Sequence, residues 1–225
     1  MRKKRFMLGK LTVLLGLTAL MIDPALADPA LLPAPAPTTI RNVFDITRDG
    51  NKIGTDIVEI EKQGDTTNVK FTTEISVVIM FVEAYRYEHS GLETWTGGQF
   101  TSFKSQTNDG GTKHNVVATL VGDKINLMSD GKRSEVPRTV VPASLWNKAF
   151  IDHPALFDAE TGAPISIQVK DMGDEPFVFH GAKIKARHYK ITGDIERDFW
   201  FDGDKLLRMK MLGSDHSTIV SELQP

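Results

Sequence analysis

Cysteine is absent from all 225 residues. Its absence removes disulfides, thiol nucleophiles and thiolate metal sites together. A chain of this length must then hold itself together by burying an apolar core. Metal binding has little else to draw on, because the six histidines, His89, His114, His153, His180, His188 and His216, are scattered. Neither HxH nor HExxH spacing occurs, so nothing in the sequence converges ligands on an ion. No metal and no cofactor is expected. Asp49-Gly50-Asn51, Asp109-Gly110-Gly111 and Asp202-Gly203-Asp204 lack the full acidic series of a calcium loop and read as hairpin turns. There is no GxSxG, and Ser144 lacks the glycines that let a nucleophile elbow turn sharply. Ser144, His153 and Asp158 share one segment, where a helix cap, a loop histidine and a turn aspartate explain them. Asp194, Glu196 and Asp198, interleaved with Ile195 and Arg197, read as a solvated strand face or bend.

An excess of basic charge is also missing from most of the chain. Arg2, Lys3, Lys4 and Arg5 precede an apolar stretch from Leu11 to Ile22, and Ala25-Leu26-Ala27 follows. This order is that of a secretory signal peptide cleaved after Ala27. The apolar stretch is short for a membrane span, which takes about 20 residues, and Pro24 closes it. Removing residues 1–27 takes away five basic residues and one acidic residue, leaving 22 Lys and Arg against 28 Asp and Glu. The net charge of −6 argues against nucleic-acid binding, which needs a basic footprint to neutralise phosphates. The expectation is a periplasmic protein with no transmembrane anchor after cleavage. Residues 28–39, DPALLPAPAPTT, form a Pro/Ala-rich leader, most simply an extended spacer.

From Ile40 the pattern has period two, broken by Gly, Asp and Asn turns. Ile40, Phe44 and Ile46 share a face, and Ile53 to Glu61 returns after Asp49-Gly50-Asn51 as the second arm of a hairpin. The clearest strand places Val69, Phe71, Thr73, Ile75, Val77, Ile79 and Phe81 opposite Lys70, Thr72, Glu74 and Ser76. Val78 and Met80 on its other face predict that its far end is covered on both sides. Further strands are predicted over 100–108, 113–121, 124–128, 163–170, 175–179, 183–192, 199–201, 206–212 and 217–223. Residues 40–225 therefore read as one all-β domain, a single antiparallel curved sheet forming a barrel or half-barrel. A two-sheet sandwich is the alternative.

The one long segment without strand alternation is Val136 to Gly162. Pro137 and Pro142 stiffen its approach, a short helix is predicted over residues 143–150, and Ser144 or its predecessor is the expected cap. Leu145, Trp146, Phe150, Leu156 and Phe157 are too many apolar residues for a solvated loop. They predict a crossing segment laid over the mouth of the sheet.

The candidate ligand-binding face carries Tyr85, Tyr87, His89, Glu93 and Trp95, with Gly91 between, and Trp146 approaches from the crossing segment. His89 and Glu93 lie four apart on a strand, about 13 Å along it, too far for a direct hydrogen bond. Strand neighbours would have to complete any site there, with His114 or His188 as candidate contributors. A polar-lined interior with a structural histidine explains the same residues more simply.

Five stretches in this order resemble a known family: RDGNKIGT (Arg48 to Thr55), YRYEHSGLETW (Tyr85 to Trp95), VPASLWN (Val141 to Asn147), FDAETG (Phe157 to Gly162) and ARHYKITGDIERDFWFD (Ala186 to Asp202). They are similar to exported bacterial proteins of the domain of unknown function 6134 type. The resemblance covers nearly all of the chain after the leader. It implies an antiparallel half-barrel akin to lipocalin-like and lipoprotein-carrier-like proteins, and it brings no catalytic residues.

Three functional expectations follow. The first is a lipid-like carrier whose curved sheet encloses an apolar or amphipathic small-molecule or lipid ligand. The second is a non-catalytic assembly factor that meets an envelope protein partner through an exposed apolar patch, with Trp146, Phe150 or Trp200 as candidates. The third is an enzyme with a His89/Glu93 site on the aromatic inner face.

Overall fold

The computed structural model describes residues 36–153 and 155–225, and the expected signal peptide lies outside them. Two meanders make up the chain. The first comprises β1 (Thr38–Arg48), β2 (Asn51–Gln63), β3 (Thr66–Ile79), β4 (Val82–Thr96), β5 (Gln99–Asp109), β6 (Thr112–Val121), β7 (Lys124–Ser129) and β8 (Lys132–Pro137). The crossing segment supplies two short strands, β9 (Val141–Pro142) and β10 (Ala155–Phe157). The second meander is β11 (Pro164–Phe179), β12 (Ala182–Gly193), β13 (Arg197–Asp202), β14 (Lys205–Leu212) and β15 (Thr218–Leu223).

The last strand returns to the first, with Phe44 opposite Leu223 and Arg48 opposite Ile219. All fifteen strands thereby join one sheet that runs from β8 at one edge to β9 at the other. Every pairing is antiparallel except the short parallel one between β9 and β10. The edge strands are consecutive in sequence, and four Cα steps from Pro137 to Val141 span at most about 15 Å. A sheet this wide can bring its edges so close only by curling, which gives the expected all-β, barrel-like fold.

The concave side is filled by the crossing segment itself. Phe157 packs edge-on against Phe100 and Phe103 of the first meander, at ring-centroid distances of 6.1 and 5.4 Å. Phe150 packs at 5.0 Å from Phe199 and 6.3 Å from Phe201 of the second. Leu145, Phe150, Leu156 and Phe157 are all buried and belong to one continuous core with both meanders. The segment is therefore the centre of the core rather than a cover over its mouth.

Other local expectations also change. The helix predicted over residues 143–150 is a single 3-10 turn at Lys148–Ile151. Leu145 and Ala149, and Trp146 and Phe150, are spaced as helical neighbours, but Leu145 adopts a left-handed backbone with φ 54°, which no helix accommodates. Asn147, not Ser144, caps the turn, accepting from the Ala149 N–H at 2.9 Å. Residues 132–137 form β8, a strand with little alternation. The two strands predicted over residues 163–170 and 175–179 are one continuous strand, β11, whose register shifts between Asp171 and Gly173. The far end of β3 is bare, with Val78, Ile79 and Met80 all exposed.

Candidate functional site

Alternation along the inner strands carries several polar residues to the concave side. Asp56 is in phase with the buried Val58 and Ile60 on β2, and Arg197 is in phase with the buried Phe199 and Phe201 on β13. Thr73 on β3 and His89 on β4 face each other across the ladder. Two adjoining cavities lie where these side chains meet the crossing segment, with volumes of about 190 and 90 Å³. They share Asp56, Val58, Ala143, Ser144, Trp146 and Arg197. The larger also reaches Tyr87, His89, Asp158 and Glu160.

The electrostatics of this space follow from burial. Asp56 accepts from the Thr73 hydroxyl at 2.7 Å, yet burial outweighs that bond and holds its carboxyl above the usual carboxylate range. Burial, reinforced by the nearby Asp158 charge, raises Glu160 in the same direction. Burial pushes His89 down to about 4, against the opposing pull of Asp158, so its imidazole is neutral near pH 7. One of its nitrogens, Nδ1, lies 2.7 Å from the Thr107 hydroxyl, and its ring stacks on Phe71 at 5.2 Å. Arg197 is lowered by burial, with Asp158 and Tyr87 opposing. Among the described residues its only side-chain hydrogen bond is a weak one to Met209 Sδ at 3.8 Å, and no carboxylate among them forms an ion pair with it.

The residues singled out from the sequence separate into three environments. Tyr87, His89 and Trp146 line the larger cavity, and the Tyr87 hydroxyl donates to Glu160 at 3.2 Å. Glu93 and Trp95 lie instead in the packed core. Glu93 is fully buried and accepts from Trp95 Nε1, from Trp146 Nε1 at 3.1 Å and from Ser144 Oγ at 2.6 Å. It thus ties the crossing segment to β4. Tyr85 stands on the outer end of β4, its hydroxyl donating to Asp109 at 2.6 Å. No hydrogen bond joins His89 to Glu93, and neither other histidine reaches them. His114 pairs with Asp130 at 2.7 Å, and His188 with Asp198 at 2.8 Å. Among the described residues no group of three or more His, Asp and Glu could hold a metal ion.

Asp56, Arg197, Asp158 and Glu160 were not among the candidates. Two of them left a readable signal, a charge in phase with the apolar face of its own strand. Asp158 left none, because its position depends on the fold of the crossing segment. There its carboxylate accepts from the Glu160 and Thr161 N–H groups at 2.9 and 2.7 Å.

The model of the family described as "Domain of unknown function (DUF6134)" matches residues 44–224. No curated protein matches the chain. Among solved structures, the chain is similar to the crystal structure of a beta-barrel-like protein of domain of unknown function DUF1849 from Brucella abortus. The identity is 14% and the TM-score 0.56, covering 82% of this chain and 94% of that one. At that identity the likeness concerns the fold alone.

Proposed function

The chain belongs to the DUF6134 family, and from that premise we propose that it is an exported, non-catalytic binding protein whose interior cavity receives the anionic end of a small amphipathic ligand. The observation that carries this reading is Arg197, a cation lining both cavities with no carboxylate paired to it among the described residues. A guanidinium in a sheltered space offers a planar fork of donors suited to a carboxylate or phosphate. Asp56 and Glu160, both with raised affinity for a proton, present less negative charge against such a group than ordinary carboxylates. Trp146, Val58, Phe71 and Ile165 supply apolar wall beside them.

The volumes set the scale of the ligand. Pockets for drug-sized molecules run to about 300–1,000 Å³, more than either cavity here, so a whole lipid does not fit inside. A small acid fits, as does the head of a longer amphiphile whose tail lies outside. Export to the periplasm rests on the basic residues 2–5, the apolar stretch that follows and Ala25-Leu26-Ala27. The test is a panel of short carboxylates and phosphomonoesters, read by the thermal midpoint of wild type and Arg197→Met. A ligand at 100 times its Kd stabilises the folded state by about 2.7 kcal/mol. The reading expects at least one such shift in wild type and its loss in the variant. Equal shifts in both proteins, or none in either, contradict it.

A second reading, an envelope assembly factor acting through a protein partner, draws on two features. Phenylalanines fill much of the concave side, and an apolar patch is exposed, although at residues 78–82 rather than at the buried Phe150.

A further inference from the structure

The β3–β4 hairpin differs from every other two-residue hairpin among the described residues. The eight others turn on pairs that contain glycine, such as Asp49-Gly50, Gly97-Gly98 and Gly203-Asp204. Glycine suits them because the favoured hairpin turns need a left-handed backbone. The β3–β4 turn is Met80-Phe81, with φ 49° and 66°. Two large apolar side chains therefore occupy a conformation that Asn-Gly would adopt at lower cost. Packing does not repay that cost, since Met80 is 89% and Phe81 103% exposed.

The hairpin also stands clear of the sheet. The β2 ladder reaches β3 no further than Ile75, and the β5 ladder reaches β4 no further than Tyr87. The ladder pairs of residues 76–86 are thus only with one another, and the base of the ribbon is tied to the β5–β6 turn by the Gly110 N–H, which donates to the Arg86 carbonyl at 2.9 Å, and by the Tyr85 hydroxyl on Asp109. Along that free ribbon the alternation stops: Val78, Ile79, Met80, Phe81 and Val82 are consecutive, exposed and apolar. Both faces and the tip are consequently hydrophobic, and no side chain there offers a hydrogen bond. A belt of charge begins directly below, where Arg86 bridges Glu83 at 3.4 Å and Glu88 at 2.8 Å, and Ser76 donates to Glu83 at 2.8 Å.

We propose that this hairpin tip inserts into the surface of a zwitterionic phospholipid layer. A protein groove covers one face of a ribbon, or pairs with one edge and reads alternate side chains. A lipid layer covers every face at once, which is what five consecutive apolar residues require. The dimensions agree. Two to three residues per arm rise about 7–10 Å above the belt, and interfacial segments bury their apolar faces about 5–10 Å into the headgroup and acyl boundary. The belt carries two acidic groups to one basic, so anionic headgroups supply no attraction and burial of apolar surface provides the affinity. This inference stands on the hairpin alone and does not depend on the cavity.

The absence of native cysteine makes the test site-specific. Met80→Cys carries a nitroxide at the tip, and Asp123→Cys carries one at the exposed β6–β7 turn. With phosphatidylcholine vesicles, the label at position 80 is expected to lose at least fivefold in accessibility to a water-soluble nickel complex and to gain accessibility to oxygen. The label at 123 stays unchanged, and adding Phe81→Asp abolishes the effect at 80. Unchanged nickel accessibility at 80 overturns the inference. So does protection of that label without vesicles, accompanied by a dimer that Phe81→Asp dissociates, because the occupant is then a second copy of the chain.

Discussion

Glu93 concentrates much of the molecule's polar chemistry in one buried carboxylate. Three donors from two segments converge on it, and each buried donor left without a partner costs about 1–3 kcal/mol. Glu93→Leu is therefore expected to lower the thermal midpoint by roughly 10 °C, at about 2–4 °C per kcal/mol for a domain of this size. Loss of ligand binding without loss of stability would contradict this structural role. His89 makes a different demand. Its pKa falls from 6.5 to about 4 on folding, so between those values the unfolded chain binds more protons than the folded one. Its contribution to stability is complete above pH 6.5, declines as pH falls, and is lost below 4. The full amount is about 3 kcal/mol at 1.36 kcal/mol per pH unit. The raised carboxyls of Asp56 and Glu160 act in the opposite sense, since they bind protons more readily when folded. The diagnostic quantity is thus a difference between proteins. Denaturant melts at pH 7 and pH 4.5 are expected to show a smaller acid loss in His89→Gln than in wild type, and parallel losses would count against a neutral buried imidazole. Gly91 completes this neighbourhood, since a Cβ there would lie 2.4 Å from the Phe71 ring that stacks on His89.

At the scale of elements, the strands were legible wherever glycine, aspartate or asparagine punctuated a period-two run. Strand β8 was not, because KRSEVP contains a single large apolar residue and its edge position buries little. The crossing segment misled for a physical reason. Its apolar spacing is helical, but its side chains fill gaps between two meanders, and that tertiary demand sets the backbone at Leu145. Its contribution to the fold has a direct measure. Phe157 is fully buried, pairs with Pro164 of β11 and packs edge-on against Phe100 and Phe103 of β5, and removing such a ring costs about 3–5 kcal/mol. Phe157→Ala is expected to move the denaturant midpoint accordingly without changing the slope. Phe81→Asp, at the bare hairpin tip, is expected to stay within about 0.5 kcal/mol of wild type. A Phe157→Ala protein as stable as wild type would place the crossing segment outside the core.

Across the whole molecule, the charges facing inward were the part of the site that the sequence carried but that a surface reading hid. Arg197 lies among Asp194, Glu196 and Asp198, a context that suggests solvent, and only its phase with Phe199 and Phe201 sends it inside. Tyr87 and His89 were legible because they share the aromatic face of β4, and Trp146 because the crossing segment carries too many apolar residues for a solvated loop. Asp158 and Glu160 were not, because a loop inside a curled sheet has no sequence period. The resulting picture is one curled sheet, a core segment through its centre and a small sheltered space with a cation that no carboxylate among the described residues pairs. Native mass spectrometry of the protein recovered from its native cells, before and after organic extraction, tests that picture most directly. Wild type is expected to carry a small acidic adduct that leaves on extraction and is missing from Arg197→Met. The unliganded mass in both proteins, or the same adduct on both, would contradict it.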